Sequence, residues 1–182
     1  MRASYNWLRE LLGPGFQAPA AEVAERLTRA GLEVEGQHAF GAACAHVVVA
    51  RVVAKEAHPS RPKLGLVTVE IGGGKQQKVV CGASNVPAPG GLVVLAPLGT
   101  YLPAKGITLE PKDIAGVTSE GMLCSESELG LCPAGADDGI LILPDGAGEP
   151  GTKLADAIPA ACDVIFEIGL TPNRPDGLGH LG

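Results

Sequence analysis

The sequence predicts a mainly β protein: a small closed barrel inserted into a small helical domain. Three observations carry this. Between residues 40 and 150, short runs rich in Val and Ile alternate with Gly, Pro and Asn turns. The 26 glycines and 15 prolines interrupt the chain too often for long helices. Aromatic residues make up only 3% of the chain against 46% hydrophobic residues, so any core is built from Val, Leu, Ile and Ala. The flanks, residues 1–39 and 151–182, show helical spacing and form the expected split domain around a barrel at 40–150.

At the amino end, Ser4 can cap a helix carrying Trp7, Leu8, Leu11 and Leu12 as an apolar stripe, which Gly13-Pro14-Gly15 stops. Pro19 starts a second helix through Val23, Leu27 and Ala30, and Gly31 suits its left-handed end. Leu32 and Val34 begin a strand. Two short helices and a strand bury little area, so this piece needs a partner. The barrel strands are expected at 45–56, 64–71, 78–82, 92–96, 113–116, 121–125 and 139–143. Gly72-Gly73-Gly74 is a hairpin tip and not a phosphate loop, because no helix follows it. Five or six short strands with one small helix in about a hundred residues match a five-stranded Greek-key barrel of the OB type. Ser119-Glu120-Gly121 is a tight turn, and Ser125 with Glu128 forms a capping box that starts the small helix. After the barrel come a short helix at 153–158, a strand at 164–168 and a turn Thr171–Asp176 leading into a third helix near Pro175. That helix has barely begun at Gly182. The expectation is the front of a longer chain, or a domain completed by a partner.

Composition narrows the chemistry. No run of about 18 apolar residues exists to span a membrane, and no apolar signal core follows Met1-Arg2. The five cysteines are odd in number and never spaced C-x-x-C, which indicates free thiols in a reducing cytosol. Cys81, Cys124, Cys132 and His58 lack the paired spacing of a zinc site, and no base is evident for a thiol nucleophile. Glu126 and Glu128 are explained by capping.

The net charge of −6 disfavours a purely electrostatic nucleic-acid binder. Yet residues 51–78 carry +4, whereas 110–149 carry −8. Arg51, Lys55, Arg61, Lys63 and Lys78 therefore form a candidate basic patch. Arg61 and Lys63 lie in His58–Leu64, the loop joining the first two barrel strands, where OB barrels meet oligonucleotides. The alternative is a proline-stiffened turn with solvated charges. Ser84 and Asn85 follow a strand and either offer hydrogen bonds to a ligand or close an Asx-type turn. Asn173, Arg174 and Asp176 read as a helix entry held by local side-chain bonds.

Five motifs together resemble a known family. They are Ser4-Tyr5-Asn6-Trp7-Leu8, Ala30–Glu35, Val80-Cys81-Gly82-Ala83-Ser84-Asn85, Gly116–Leu131 and Leu170–Asp176. Their order is that of the amino-terminal part of bacterial phenylalanine–tRNA ligase β subunits. The barrel alone also resembles the tRNA-binding OB domain of free-standing tRNA-binding proteins and chaperones, which lack these flanks. The resemblance implies a winged-helix-like split domain of three helices around an OB barrel. It implies a cytoplasmic α2β2 class II synthetase using ATP and magnesium, with its catalytic site in the α subunit. It assigns this piece no catalytic residue, no metal and no cofactor of its own. Its implied work is architecture and auxiliary tRNA contact by Arg51, Lys55, Arg61, Lys63, Lys78, Ser84 and Asn85. Two departures stand out. Ser60-Arg61-Pro62 replaces the family's usual Asn-Ala-Asp, losing an acid and gaining a base. Gly177 and Gly179 stand where larger or hydroxyl residues are usual, each costing about 1 kcal/mol relative to Ala in a helix.

Overall fold

A computed structural model of the chain describes residues 1–136 and 139–173. The Asp137-Asp138 turn and the expected last helix, with Arg174, Asp176, Gly177 and Gly179, lie outside the described residues. The chain divides into two compact units. One holds Met1–Phe40 with the chain from Asp163 onward; the other is Gly41–Cys162.

The first unit contains β1 (Arg2–Ser4), α1 (Tyr5–Leu12), α2 (Ala20–Arg29) and β2 (Glu33–Phe40), and later the strand β13 (Asp163–Gly169). Its antiparallel sheet runs β1-β13-β2, so the strand that arrives last is the central one. Ser4 caps α1 as the sequence predicts: its Oγ accepts from the Trp7 N–H at 3.0 Å. Asp163 anchors the same turn, accepting from the Ser4 hydroxyl, the Asn6 N–H at 3.0 Å and the Val164 N–H at 2.7 Å. Phe166 and Ile168 of β13 pack on Val23 and Ala24 of α2, and the Tyr5 ring meets Phe166 edge-on at 6.1 Å. The expected α1 stripe is only partly used. Leu8 joins this core, while Trp7, Leu11 and Leu12 stay exposed. An eight-residue helix presents a narrow face, and Tyr5 and Leu8 fill it.

The second unit holds β3 (Val48–Ala57), β4 (Gly65–Glu70), β5 (Gln76–Cys81), β6 (Leu92–Pro97), β7 (Tyr101–Leu102), β8 (Ile107–Thr108), β9 (Lys112–Ile114), β10 (Val117–Ser119), β11 (Gly121–Leu123), α3 (Glu126–Leu129), β12 (Ile142–Leu143) and α4 (Leu154–Ala157). Its main sheet is nearly closed and barrel-like, ordered β11-β6-β3-β4-β5, with β12 also on β6. Six strands take part where five were expected, because β11 and β12 share one edge of β6 in succession. The two small hairpins β7–β8 and β9–β10 lie outside that sheet. The sequence gives no sign of the first, whose strands are two residues each. The inward rows are aliphatic: Val52, Val67, Val69, Val79, Val93 and Leu95 are buried, each by about the area that contributes 1.5–3 kcal/mol.

Residues 151–162, placed by sequence in the flanking domain, pack in the barrel unit. Leu154 is fully buried there, its N–H donates to the Val47 carbonyl, and Lys153 bridges to Val48. A lone helical turn has no sequence signal for which core it joins.

The barrel's seam lies between β5 and β11, the two ends of the sheet path. Two side chains and one backbone bond hold it. Ser119 Oγ accepts from the Val80 N–H at 3.1 Å and donates to the Gly121 carbonyl at 2.8 Å. The Glu120 N–H donates to the Lys78 carbonyl at 3.0 Å, and Glu120 Oε2 accepts from the Lys78 N–H at 2.8 Å. Beyond the seam, the capping box of Ser125 and Glu128 forms as read from the sequence.

Two outcomes follow for stability. Ser119→Ala leaves two seam groups unpaired beside a buried position, so urea unfolding should show a loss of about 1–3 kcal/mol. The β9–β10 turn is Ala115-Gly116 with φ of 53° and 87°, a two-residue hairpin turn in which Ala pays a left-handed penalty. Ala115→Asn should raise the unfolding free energy by about 0.5–1 kcal/mol; an unchanged midpoint would contradict this account of the turn.

Candidate nucleic-acid interface

The loop between β3 and β4 is built around a histidine. His58 is buried, and its Nε2 lies 2.9 Å from the Ile114 carbonyl. A carbonyl can only accept, so Nε2 carries the proton and Nδ1 is free to accept from the Ser60 N–H at 3.1 Å. The His58 N–H donates to the Leu64 carbonyl, and the Leu64 N–H to the Arg61 carbonyl. Both ends of the loop are thus pinned, and Arg61 and Lys63 project from it exposed. Sequence considered His58 only as a metal ligand; a buried histidine within a loop has no periodicity to betray its packing role.

Cross-strand register decides where the other basic residues point. A bulge between Val52 and Ala54 shifts the pleat of β3. Lys55 consequently shares a row with buried Val67 and Val79, on the inward face at one end of the barrel. Its Nζ donates to the Val86 carbonyl at 3.0 Å, which leaves two ammonium protons for another acceptor. Lys55, Lys63 and Ser84 line one open groove of about 390 Å³, with Pro62, Leu64 and Ala83 as apolar wall and Glu56 as its acid. Arg61 belongs to the same loop, two residues before Lys63.

Arg51 and Lys78 lie elsewhere. Arg51 stands opposite Glu70, and Lys78 opposite Thr68, on the outward face of β3–β4–β5. The Arg51 Nη1 reaches the Gly90 carbonyl at 3.5 Å. Asn85 turns away from the groove. Its Nδ2 donates to the Ile140 carbonyl at 2.8 Å, and its Oδ1 accepts from the Ile140 N–H at 2.9 Å. This clamp ties the 82–86 turn to the start of the last barrel segment. Gly139 allows it: a Cβ there would fall 2.2 Å from Asn85 Oδ1, and its φ is +95°.

Ala83 is shared by a second hollow of about 370 Å³ along the seam, lined also by Val80, Gly82, Met122, Ser125 and Glu128. Sequence reasoning passed over this wall because Gly82-Ala83 has no functional side chain; only the fold brings it between the two hollows. Glu128 there is engaged by the Ser125 N–H and by Lys105. Cys81 and Cys124 are buried nearby. Burial pushes the Cys124 thiol up to about 12 and raises that of Cys81, the opposite of an activated nucleophile.

Exposed basic and polar side chains of this kind can hydrogen-bond phosphate oxygens. Comparison with known proteins bears on this barrel. Residues 47–153 match the family described as "Putative tRNA binding domain". The chain belongs to this tRNA-binding domain family. The matched span lies within the barrel unit and contains the His58 loop, the groove and the seam.

Over its whole length the chain is similar to proteins named phenylalanine–tRNA ligase beta subunit. It is 44% identical over 182 residues to that of Anaeromyxobacter dehalogenans and 45% over 183 residues to that of Syntrophotalea carbinolica. The alignments take in 100% of this chain and 22% of each relative, so the chain spans about a fifth of their length. A solved structure, a MetRS related protein from Pyrococcus horikoshii, aligns at 22% identity over 59% of this chain and 86% of its own, with a TM-score of 0.41.

The clamp makes a direct prediction. Asn85→Ala removes both partners of Ile140 and should cost about 1–3 kcal/mol in urea unfolding, although the side chain faces no ligand.

Proposed function

We propose that this chain is the non-catalytic amino-terminal portion of a phenylalanine–tRNA ligase β subunit, contributing architecture and auxiliary tRNA contact. The observation that carries the reading is the full-length similarity to β subunits at 44–45% identity, joined to a tRNA-binding barrel with a basic groove. In this reading the parent enzyme is a cytoplasmic α2β2 complex that attaches phenylalanine to its tRNA. ATP and magnesium serve the α subunit's catalytic site. The first unit then acts as a split winged-helix-like domain interrupted by an OB-type barrel, with domain boundaries near 40 and 162, where the two compact units divide.

The proposed tRNA surface centres on Arg61, Lys63, Lys55 and Ser84. Arg61 and Lys63 supply phosphate contacts from a loop pinned by His58. Ser84 adds a neutral hydrogen bond at the groove wall. Arg51 and Lys78, on the outward face, add long-range field and not groove contact. Asn85 supports the surface by shaping it. The overall charge of −6 limits the strength of contact, which fits an auxiliary role.

Titration with fluorescently labelled tRNA tests the reading. Binding should be measurable at 50 mM salt and fall steeply by 200 mM. Arg61→Ala combined with Lys63→Ala should flatten the plot of log K against log salt by about one unit per lost phosphate contact. Lys78→Ala should change the slope less. Absence of binding at 50 mM salt would remove the tRNA contact, and phenylalanine charging by this chain alone would remove the non-catalytic reading.

A further inference from the structure

Two thiols meet where the barrel unit begins and ends. Cys44 lies in the short 3-10 turn Ala42–Ala45, and Cys162 follows the turn Pro159–Ala161. These turns touch through their backbones: a Cβ on Gly41 would fall 1.8 Å from the Ala161 carbonyl oxygen. The Cys162 Sγ donates to the Gly41 carbonyl at 3.1 Å. The Cys44 N–H donates to the same carbonyl at 2.8 Å, so both cysteines converge on one backbone oxygen, and both pack in the same apolar cluster.

The two sulfurs are unequal. Cys44 is fully buried, and burial pushes its thiol up to about 12, with the Cys162 neighbour adding to the rise. Cys162 is only half-buried. Burial raises its thiol too. Cys162 is therefore the sulfur that solvent reaches, while Cys44 lies behind it.

We propose that Cys162 is a thiol–disulfide exchange site resolved by Cys44, so that low-molecular-weight disulfides convert the pair into an internal disulfide stapling the two ends of the barrel unit. The Cys162 thiolate attacks one sulfur of RSSR. That S–S bond breaks, and the departing RS⁻ takes up the proton Cys162 released. Cys44 then attacks the Cys162 sulfur of the mixed disulfide, and the second RS⁻ leaves with the Cys44 proton. Two protein thiols and one RSSR become one protein disulfide and two RSH. The closed loop spans roughly 120 residues, long enough for the cross-link to restrict the unfolded chain strongly. Thiols this reluctant to ionise are also poor leaving groups, so the bond, once made, resists reduction. The proposal concerns the fold's closure and stands apart from the tRNA reading.

Oxidised glutathione is the probe, with intact mass and peptide mapping as readout. The wild-type chain should lose two hydrogens, yield a linked Cys44–Cys162 peptide pair, and melt about 5 °C or more higher than the reduced chain. Cys44→Ala should accumulate a glutathione adduct on Cys162 that the wild type does not retain. Cys162→Ala should leave Cys44 unmodified while folded. A wild-type chain that keeps Cys44 and Cys162 as thiols, or a bond mapped to Cys124 or Cys132 instead, overturns the proposal. The wild-type mapping decides the matter even if a variant folds poorly.

Discussion

The barrel unit depends on a seam that no backbone ladder closes. β5 and β11 end the sheet path, and each would present a row of unpaired backbone groups to the other. Ser119 and Glu120 substitute for the missing ladder, between them engaging the Lys78 and Val80 backbone. The stretch from Ser119 to Glu128 therefore does two jobs in ten residues. Its first half sews the barrel, and its second half turns the chain into a capped helical turn whose Leu129 is buried in the unit's core. The hollow between β5 and β11 lies just past the last stitch, where the two strands are no longer held together.

Aliphatic composition sets the rest of the architecture. With 3% aromatics, no large ring is available to fill a wide interior. Short strands carrying Val at alternate positions bring small, stiff side chains into close rows, and a small barrel is the shape such rows can fill. The bulge in β3 then turns Lys55 onto a row otherwise made of buried valines. A lysine tolerates that position because it stays exposed at the end of the row and its ammonium reaches the Val86 carbonyl. The groove is thus a consequence of one irregular residue in the ladder, with the pinned His58 loop standing over it.

Local chemistry was legible in the sequence wherever neighbours in the chain decide it. The Ser4 cap, the Gly31 helix end, the capping box at Ser125 and Glu128, and the left-handed glycines of the 72–74 tip all depend on residues within a few positions of each other. The basic loop was equally legible as a charge pattern. What was not legible required partners far along the chain. Asn85 looked like a turn residue or a ligand donor, yet its amide is taken up by Ile140, more than fifty residues later. The bulge that separates Lys55 from Arg51 has no signature in a run of valines and alanines. The β7–β8 hairpin is too short to show a period.

By itself, the sequence determined a mainly β chain with helical flanks, an aliphatic core, and a family to which its ordered motifs point. Those properties are sums of short-range preferences, and short-range preferences are written in adjacent residues. Only the tertiary structure decided which candidates share a surface. It brought Lys55, Lys63 and Ser84 to one groove, sent Arg51 and Lys78 to the opposite face, and set Cys44 and Cys162 on one backbone carbonyl. Face and proximity follow from register and closure, and these are fixed by pairings between distant segments that no local window contains.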